Sequence, residues 1–125
     1  MPYLVIAPSP ERGRGVFATK RILAGTIIEI SPVIVLSKKD RKILEATLLY
    51  SYIFEWGNSR TQGAVGLGYI SLYNHTYNSN CEYEMDYENK LITIRTVKKV
   101  NKGEELYINY NAEPNNNEKM WFDVK

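Results

Sequence analysis

Short apolar segments rich in β-branched residues alternate along the chain with proline and glycine, a pattern typical of strands joined by tight turns. In the N-terminal third the predicted strands are 3–7, 15–18, 26–30 and 33–36. Two later segments, 82–87 and 91–97, flank Glu88-Asn89-Lys90, which is short enough to be a hairpin connection. A last predicted strand is 106–108. The pattern therefore predicts a mainly β fold.

One short helix is predicted between these strands. Ser37 can cap its first turn through Asp40, in an arrangement that resembles a capping box. Ile43, Leu44 and Leu48 then give the helix a modest apolar face.

From residue 50 the sequence pattern changes to a period of two. The aromatic residues at every second position are Tyr50, Tyr52, Phe54 and Trp56. This alternation predicts a strand that carries all four rings on one side. That side is either part of the core or the wall of a binding site.

Two segments, 20–28 and 98–106, share one pattern. Each has two basic residues, an aliphatic residue, two spacers, a glycine, two more spacers and a second aliphatic residue. The similarity indicates a duplicated turn-and-strand unit, or else turn chemistry that recurs by chance.

The composition indicates a single folded domain over residues 1–125. The chain has 125 residues, of which 44% are hydrophobic, enough for one core. No apolar run approaches the roughly 20 residues needed to cross a bilayer, and the N-terminus lacks the basic region of a secretory signal. We therefore expect a soluble protein without a membrane segment.

Charge and cysteine content exclude further classes. The formal charge of +2 is too small to indicate direct nucleic-acid binding. A single cysteine cannot form an internal disulfide, so a reducing compartment is expected. One histidine and one cysteine cannot supply the usual ligand set for zinc, so we predict no metal, although an oxygen-rich cation site stays open.

Two polar blocks are the candidate functional segments. Residues 72–81 contain the only histidine and the only cysteine among many side-chain amides, which indicates a site built on hydrogen bonds. Residues 103–111 place two tyrosines on an aliphatic strand that runs into polar residues. Taken alone, His75 is either a general base or a structural residue, and the asparagines can simply form Asx turns.

A third motif, Gly13-Arg14-Gly15-Val16-Phe17-Ala18, fits the pattern of a dinucleotide-binding loop. That loop requires a helix after the glycines, whereas the sequence here is strand-like. The motif is then either a loop that approaches a cofactor or an ordinary tight turn.

In chain order, these three motifs resemble the successive motifs of SET-domain protein lysine methyltransferases. The matching segments are 13–18, 72–80 and 103–110. Residues 64–69 and 120–123 are most similar to the minimal stand-alone members of bacteria and large DNA viruses. The resemblance spans nearly the whole chain and implies a SET-domain β-clip of several short sheets, with a short helix and a C-terminal pseudoknot.

The resemblance implies transfer of a methyl group from S-adenosylmethionine to a lysine ε-amine of a histone, such as histone H3, or of another protein. Tyr110 would be the catalytic hydroxyl, together with Tyr69. The implied cofactor-binding residues are Gly13, Arg14, Gly15, Tyr73, Asn74, His75, Tyr110, Trp121 and Phe122. The implied lysine channel is formed by Tyr50, Tyr52, Tyr69 and Ile108.

The sequence departs from the family pattern in two places, at position 77 and at positions 108–109. Tyr77 stands where many members have a zinc-binding cysteine, so the zinc-binding C-terminal module is missing. The aromatic pair Trp121 and Phe122 then either covers the cofactor or packs on the core. Ile108 and Asn109 replace an aromatic residue and an aspartate, so the number of methyl groups added does not follow from the resemblance.

Partners and location follow from the same resemblance. Minimal members of the family often pair, so a homodimer is expected. The location would be cytoplasmic in a bacterium, and nuclear or chromatin-associated if the substrate is a histone. The alternatives are a non-catalytic β module that binds a lysine or methyl-lysine peptide through an aromatic surface, and an interaction protein that uses the aromatic strand as an oligomer seam.

Overall fold

The structure is a computed structural model that describes residues 1–10 and 13–110. In chain order its elements are β1 (Leu4–Ser9), β2 (Gly13–Ala18), β3 (Ile27–Leu36), α1 (Lys38–Leu44), a first 3-10 helix (Leu48–Tyr52), β4 (Ile53–Trp56), β5 (Gln62–Gly66), a second 3-10 helix (Ile70–Leu72), β6 (Asn74–His75), β7 (Cys81–Asp86), β8 (Leu91–Thr96) and β9 (Glu105–Ile108). The predicted mainly β fold is confirmed.

The strands form two sheets. One sheet has the order β4-β5-β3-β8-β7, and the other has the order β1-β2-β9-β6. All pairings are antiparallel except that of β6 with β9, which is parallel. Aliphatic side chains from both sheets share one core, in which Leu106 and Ile108 of β9 are fully buried.

The predicted hairpin and helix cap are confirmed. Strands β7 and β8 pair in register around residues 87–90, and Asp86 closes the turn by accepting a hydrogen bond from the backbone of Asn89 at 3.0 Å. The Ser37 side chain accepts a hydrogen bond from Asp40 N at 3.1 Å.

The two strands predicted at 26–30 and 33–36 are one continuous strand, β3. Strand β8 pairs with β3 as far as Pro32, and β5 pairs with it from Val33 onwards. Proline has no N–H to donate, and it lies where β3 changes partner. The proline therefore does not end the strand.

The predicted aromatic strand is wrong over its first half. Tyr50 and Tyr52 lie in the first 3-10 helix, and only residues 53–56 form a strand. Thr47 begins the 3-10 turn, since its hydroxyl accepts a hydrogen bond from the backbone N–H two residues later at 3.2 Å. Of the four aromatic residues, only Phe54 and Trp56 are buried strand residues, with 9% and 3% of their surface exposed.

The predicted apolar face of α1 is also wrong. Ile43 and Leu48 are 57% and 81% exposed, and the helix has no buried residue. Arg41 holds the helix instead, because its guanidinium donates to the backbone carbonyls of Arg60 and Gln62 at 2.7 and 3.0 Å. Hydrogen bonds replace the apolar contact that the spacing predicts.

The two similar segments, 20–28 and 98–106, lie side by side. Ile22 and Val100 occupy equivalent positions and exchange backbone hydrogen bonds of 2.8 and 2.9 Å. Gly25 and Gly103 both have positive φ, 82° and 87°. The matching contacts support a duplicated turn-and-strand unit.

Residues 105–108 lie against the chain that follows β6, at the place where the pseudoknot is predicted. Asn80 ties the two together: its side chain donates to the Glu105 carbonyl at 2.9 Å and accepts from Tyr107 N at 2.8 Å. Thr76 N donates to the Ile108 carbonyl at 3.1 Å. This crossing brings residues 13–15, 74–75 and 109–110 to one place.

Within residues 1–10 and 13–110, no helix is long and apolar enough to span a membrane.

Candidate active site

A half-buried carboxylate, Glu105, collects donors from three strands at one end of the four-stranded sheet. Its oxygens accept hydrogen bonds from Ser9 Oγ at 2.8 Å, Asn74 Nδ2 at 2.7 Å and Tyr107 Oη at 3.1 Å. We call Ser9, Asn74, Glu105 and Tyr107 the Glu105 cluster. Because Asn74 Nδ2 donates to a side chain that two other donors also hold, Glu105 fixes the orientation of Asn74.

The amide nitrogen of Asn74 uses both of its hydrogens in hydrogen bonds within the protein. Nδ2 donates to Glu105 and also to the backbone carbonyl of Arg14 at 3.0 Å. Both amide hydrogens therefore have protein acceptors. The amide oxygen is the group that Asn74 can offer to a donor on a ligand.

Positions 13 and 15 are both glycine, but for different structural reasons. A Cβ at Gly15 would overlap the Glu105 carboxylate and lie 3.0 Å from Asn74 Nδ2, so a larger residue there would displace the side chains of the cluster. Gly13 has φ +74°, which favours glycine. Residues 13–18 form strand β2 without a following helix, so the motif is not a dinucleotide-binding loop.

A second carboxylate, Glu29 on β3, lies in the core with 3% of its surface exposed. It accepts hydrogen bonds from Tyr73 Oη at 2.6 Å and from Tyr69 N at 2.7 Å. We call Glu29, Tyr69 and Tyr73 the Glu29 cluster. Burial raises the pKa of Glu29, and these hydrogen bonds oppose that rise. Burial and the neighbouring Glu29 carboxylate both raise the pKa of Tyr73.

The segment that packs on Glu29 contains two glycines, because it lies too close to neighbouring side chains to carry a Cβ. A Cβ at Gly68 would overlap the Glu29 carboxylate, and one at Gly66 would overlap the side chain of Ile70. Sequence reasoning missed Glu29. Its one signal is an acidic residue inside an otherwise aliphatic strand segment, Ile27-Ile28-Glu29-Ile30.

Tyr110 is held by hydrogen bonds at its nitrogen, its carbonyl and its hydroxyl. Its backbone N donates to His75 Nδ1 at 3.0 Å, and its carbonyl accepts from Tyr83 Oη at 2.8 Å. Its own hydroxyl donates to the backbone carbonyl of Tyr73 at 2.8 Å. The ring centroid lies 6.4 Å from that of Phe54. The position of the hydroxyl is therefore fixed by the fold.

His75 helps to place Tyr110. Because Nδ1 accepts from a backbone N–H, the neutral ring carries its proton on Nε2. The ring is 4% exposed and lies 4.5 Å from the Tyr77 ring and 5.0 Å from the Tyr110 ring. Its Nδ1 is thus a structural acceptor, which argues against the general-base interpretation at that nitrogen.

The sequence and structure comparisons assign a family to this arrangement. The SET domain family model matches residues 13–111. The chain belongs to the SET-domain family. It is also 35% identical over 121 residues to the histone-lysine N-methyltransferase, H3 lysine-37 specific, of Schizosaccharomyces pombe, covering 96% of this chain and 77% of the relative. The chain is therefore a protein-lysine N-methyltransferase of the SET type.

Solved structures share the SET fold. A candidate histone methyltransferase of Plasmodium falciparum is 26% identical with a TM-score of 0.67, covering 86% of this chain and 92% of that one. An inhibitor-bound humanized mutant of the Chaetomium thermophilum Polycomb Repressive Complex 2 is 21% identical with a TM-score of 0.74, covering 90% and 15%. The ctPRC2 structure bound to S-adenosylmethionine is 22% identical with a TM-score of 0.73, covering 90% and 16%.

Most of the predicted SET-domain site residues lie around the two clusters. Gly13, Arg14, Gly15 and Asn74 meet at the Glu105 cluster, whereas Tyr69 and Tyr73 belong to the Glu29 cluster and His75 and Tyr110 lie between the two. The side chains of Tyr73 and Ile108 are fully buried, so Tyr73 contributes its backbone carbonyl to the site. Their predicted contacts with cofactor and lysine stay predictions.

The remaining predicted site residues lie apart from both clusters or outside the described residues. Tyr50 and Tyr52 are half-buried in the first 3-10 helix, and the Tyr52 carbonyl accepts from Ser71 Oγ at 3.0 Å. This bond joins that helix to the segment that follows Tyr69. Trp121 and Phe122 lie outside the described residues.

Metal binding has no candidate group in the described part of this SET domain. Among residues 1–10 and 13–110, no group of three or more His, Cys, Asp and Glu side chains is placed to hold a metal ion. Cys81 is fully buried, and burial raises the pKa of its thiol to about 12. The thiol is therefore protonated at neutral pH.

Proposed function

We propose that this SET domain transfers a methyl group from S-adenosylmethionine to the ε-amine of a lysine in a protein substrate, with histone H3 as the first candidate. The observation that carries the proposal is Tyr110, whose hydroxyl is fixed on the Tyr73 carbonyl at 2.8 Å beside the Asn74-His75 strand. The S. pombe relative, named for H3 lysine 37, supports the choice of histone H3.

The donors and acceptors of the Glu105 cluster fit the cofactor. S-adenosylmethionine, when bound, supplies a methyl group on a positively charged sulfur. The Asn74 amide oxygen would accept a hydrogen bond from the cofactor's ammonium group, since both amide hydrogens are used elsewhere. The backbone of Gly13–Gly15 would lie beside the same end of the cofactor. A solved ctPRC2 structure contains S-adenosylmethionine, which supports the choice of cofactor.

Tyr110 would orient the reacting groups rather than remove a proton. Methyl transfer to an amine needs alignment in one line, and a hydroxyl held by a backbone carbonyl gives a fixed reference for that alignment. Free lysine has a pKa near 10.4, and an apolar channel beside a positive charge lowers it. Of the predicted channel residues, Tyr69 would line that channel, together with Phe54, whose ring centroid lies 6.4 Å from that of Tyr110. A strong side-chain base is then not required.

Incubation of the chain with radiolabelled S-adenosylmethionine and histone H3, or cell extracts, tests the proposal. We expect label on a lysine side chain, located by peptide mass spectrometry. The matched control is histone H3 in which the labelled lysine is replaced by arginine, which should take no label. Cofactor binding without transfer to any lysine would contradict the proposal.

Pairing of two copies is part of the same proposal. Ile30 and Ile34 stand two alternations apart on β3 and are 57% and 52% exposed, which supports an apolar contact surface. Sedimentation equilibrium should give the mass of a dimer, and Ile34→Lys should reduce it to a monomer. A monomer at every concentration would contradict pairing.

If the chain is eukaryotic, a histone substrate would place it in the nucleus.

A further inference from the structure

We propose that Glu29 is a positioning residue for Tyr110 and acts through Tyr73. The kinetic consequence of this inference rests on the function proposed above. The structural consequence, a change in the position of Tyr110, does not. The inference concerns a carboxylate that lies in the core, with 3% of its surface exposed.

Tyr73 links the two residues because it is fixed at both ends. Its phenol donates to Glu29 Oε1 at 2.6 Å, and its backbone carbonyl accepts from Tyr110 Oη at 2.8 Å. The residue is fully buried. Because the Tyr73 ring is held at its hydroxyl and is closely packed, the residue has little freedom to rotate. The backbone carbonyl that Tyr110 contacts is therefore held in place as well.

Glu29 also holds the beginning of the same segment. Its Oε2 accepts from Tyr69 N at 2.7 Å. The two ends of the segment 69–73 are thus bound to one carboxylate. Gly68, just before this segment, also packs closely on the carboxylate, since a Cβ there would overlap it.

A purely structural role would not require a carboxylate here. Strand β3 is otherwise aliphatic around this position, and burial of a carboxyl group costs free energy that an isoleucine would not cost. Hydrogen bonds to a carboxylate are short and directional, so they fix position more sharply than apolar packing does. A catalytic hydroxyl has to be placed to within roughly 0.5 Å. The carboxylate meets that requirement at the cost of stability.

Two substitutions remove the same contact from opposite sides. Glu29→Gln keeps the volume but offers one acceptor oxygen, so it cannot bind Tyr73 Oη and Tyr69 N as the two carboxylate oxygens do. Tyr73→Phe removes the phenol that donates to Glu29. Thr96→Val is the control, because it removes a hydroxyl that is 1% exposed and donates to the Leu23 carbonyl at 2.8 Å, away from Tyr110.

The first readout is the ¹³Cζ resonance of Tyr110 in protein without cofactor. We expect Glu29→Gln and Tyr73→Phe to shift this resonance and Thr96→Val to leave it unchanged. The second readout is kinetic: kcat should fall about 10-fold to 100-fold, while KM for S-adenosylmethionine stays within about threefold. The double variant Glu29→Gln/Tyr73→Phe should be no slower than the slower single variant, because both act on one contact.

A Tyr110 resonance that is unmoved in both site variants, with a kcat loss no larger than that of Thr96→Val, would overturn the inference. If Glu29→Gln does not fold, Tyr73→Phe decides the test by itself. If the wild-type chain methylates no lysine, the proposed function fails, and the Tyr110 resonance still decides whether Glu29 positions that residue.

Discussion

The Glu105 cluster and the Glu29 cluster each organise one side of the site around a carboxylate, and they do so differently. Glu105 is half-buried and joins side chains from three strands, Ser9, Asn74 and Tyr107. Glu29 is buried and binds two positions of one segment, Tyr69 and Tyr73. The first arrangement fixes the orientation of the Asn74 amide, and the second fixes a stretch of backbone.

Because of this difference, substitutions in the two clusters should have different effects. Asn74 in the Glu105 cluster retains an amide oxygen for a ligand, so substitutions there should change cofactor affinity. The Glu29 cluster ends on the Tyr73 carbonyl that holds the Tyr110 hydroxyl, so substitutions there should change the rate of transfer. The predictions below test that division, beginning with the largest expected effect.

Tyr110→Phe should lower kcat by about 100-fold or more, because it removes the proposed catalytic hydroxyl, which the Tyr73 carbonyl holds at 2.8 Å. Affinity for S-adenosylmethionine should change by less than about threefold, since the ring, the backbone contacts and the Glu105 cluster remain. Single-turnover label transfer gives the rate, and titration calorimetry gives the affinity. Transfer at the wild-type rate would remove Tyr110 from the catalytic role.

Asn74→Ala should weaken S-adenosylmethionine binding by about 10-fold to 100-fold, because a hydrogen bond to a charged ammonium contributes about 1.5–3 kcal/mol. Asn89→Ala is the matched control, since it removes an asparagine that binds Asp86 in the β7–β8 turn at 2.9 Å. Calorimetry should show unchanged affinity for that control. Equal affinities for both variants would contradict the role of Asn74.

The stability of the chain should depend on pH through Glu29. Burial raises its pKa above the ordinary value of 4.5, so the folded state holds the proton more tightly than the unfolded chain does. The stabilisation is full below 4.5 and is lost as pH rises through the raised pKa, by about 1.4 kcal/mol for each pH unit between the two values.

Urea unfolding of the wild type and of Glu29→Gln at several pH values measures this effect. Relative to the variant, the wild type should lose stability as the pH rises from below 4.5 toward neutrality. A relative stability that rises over the same interval would mean that the hydrogen bonds from Tyr73 and Tyr69 outweigh burial.

The smallest expected effect is the reactivity of Cys81, which lies on the buried side near Tyr73. Its thiol has a pKa of about 12 and no exposed surface, so alkylation at neutral pH should proceed only through unfolding. Mass spectrometry after iodoacetamide treatment, with and without urea, measures it. Rapid alkylation of the folded chain would show that water reaches the Glu29 side of the site.

Sequence reasoning predicted the polar motifs that meet near the Glu105 cluster better than it predicted the aromatic strand. Asn74 and Tyr110 lie in polar motifs whose chemistry is visible along the chain, and the paired glycine turns at Gly25 and Gly103 are visible as a repeat. Glu29 was missed because its partners come from residues 69 and 73, far along the chain. The alternation at 50–56 failed because a threonine-capped turn outweighed the strand pattern.

A single-turnover measurement with S-adenosylmethionine varied, on Asn74→Ala and Tyr110→Phe side by side, tests the division between binding and transfer most directly. The account predicts that Asn74→Ala needs more cofactor but reaches a near wild-type rate at saturation. Tyr110→Phe should saturate at the wild-type concentration and remain slow. Loss of both affinity and saturated rate in each variant would contradict the account.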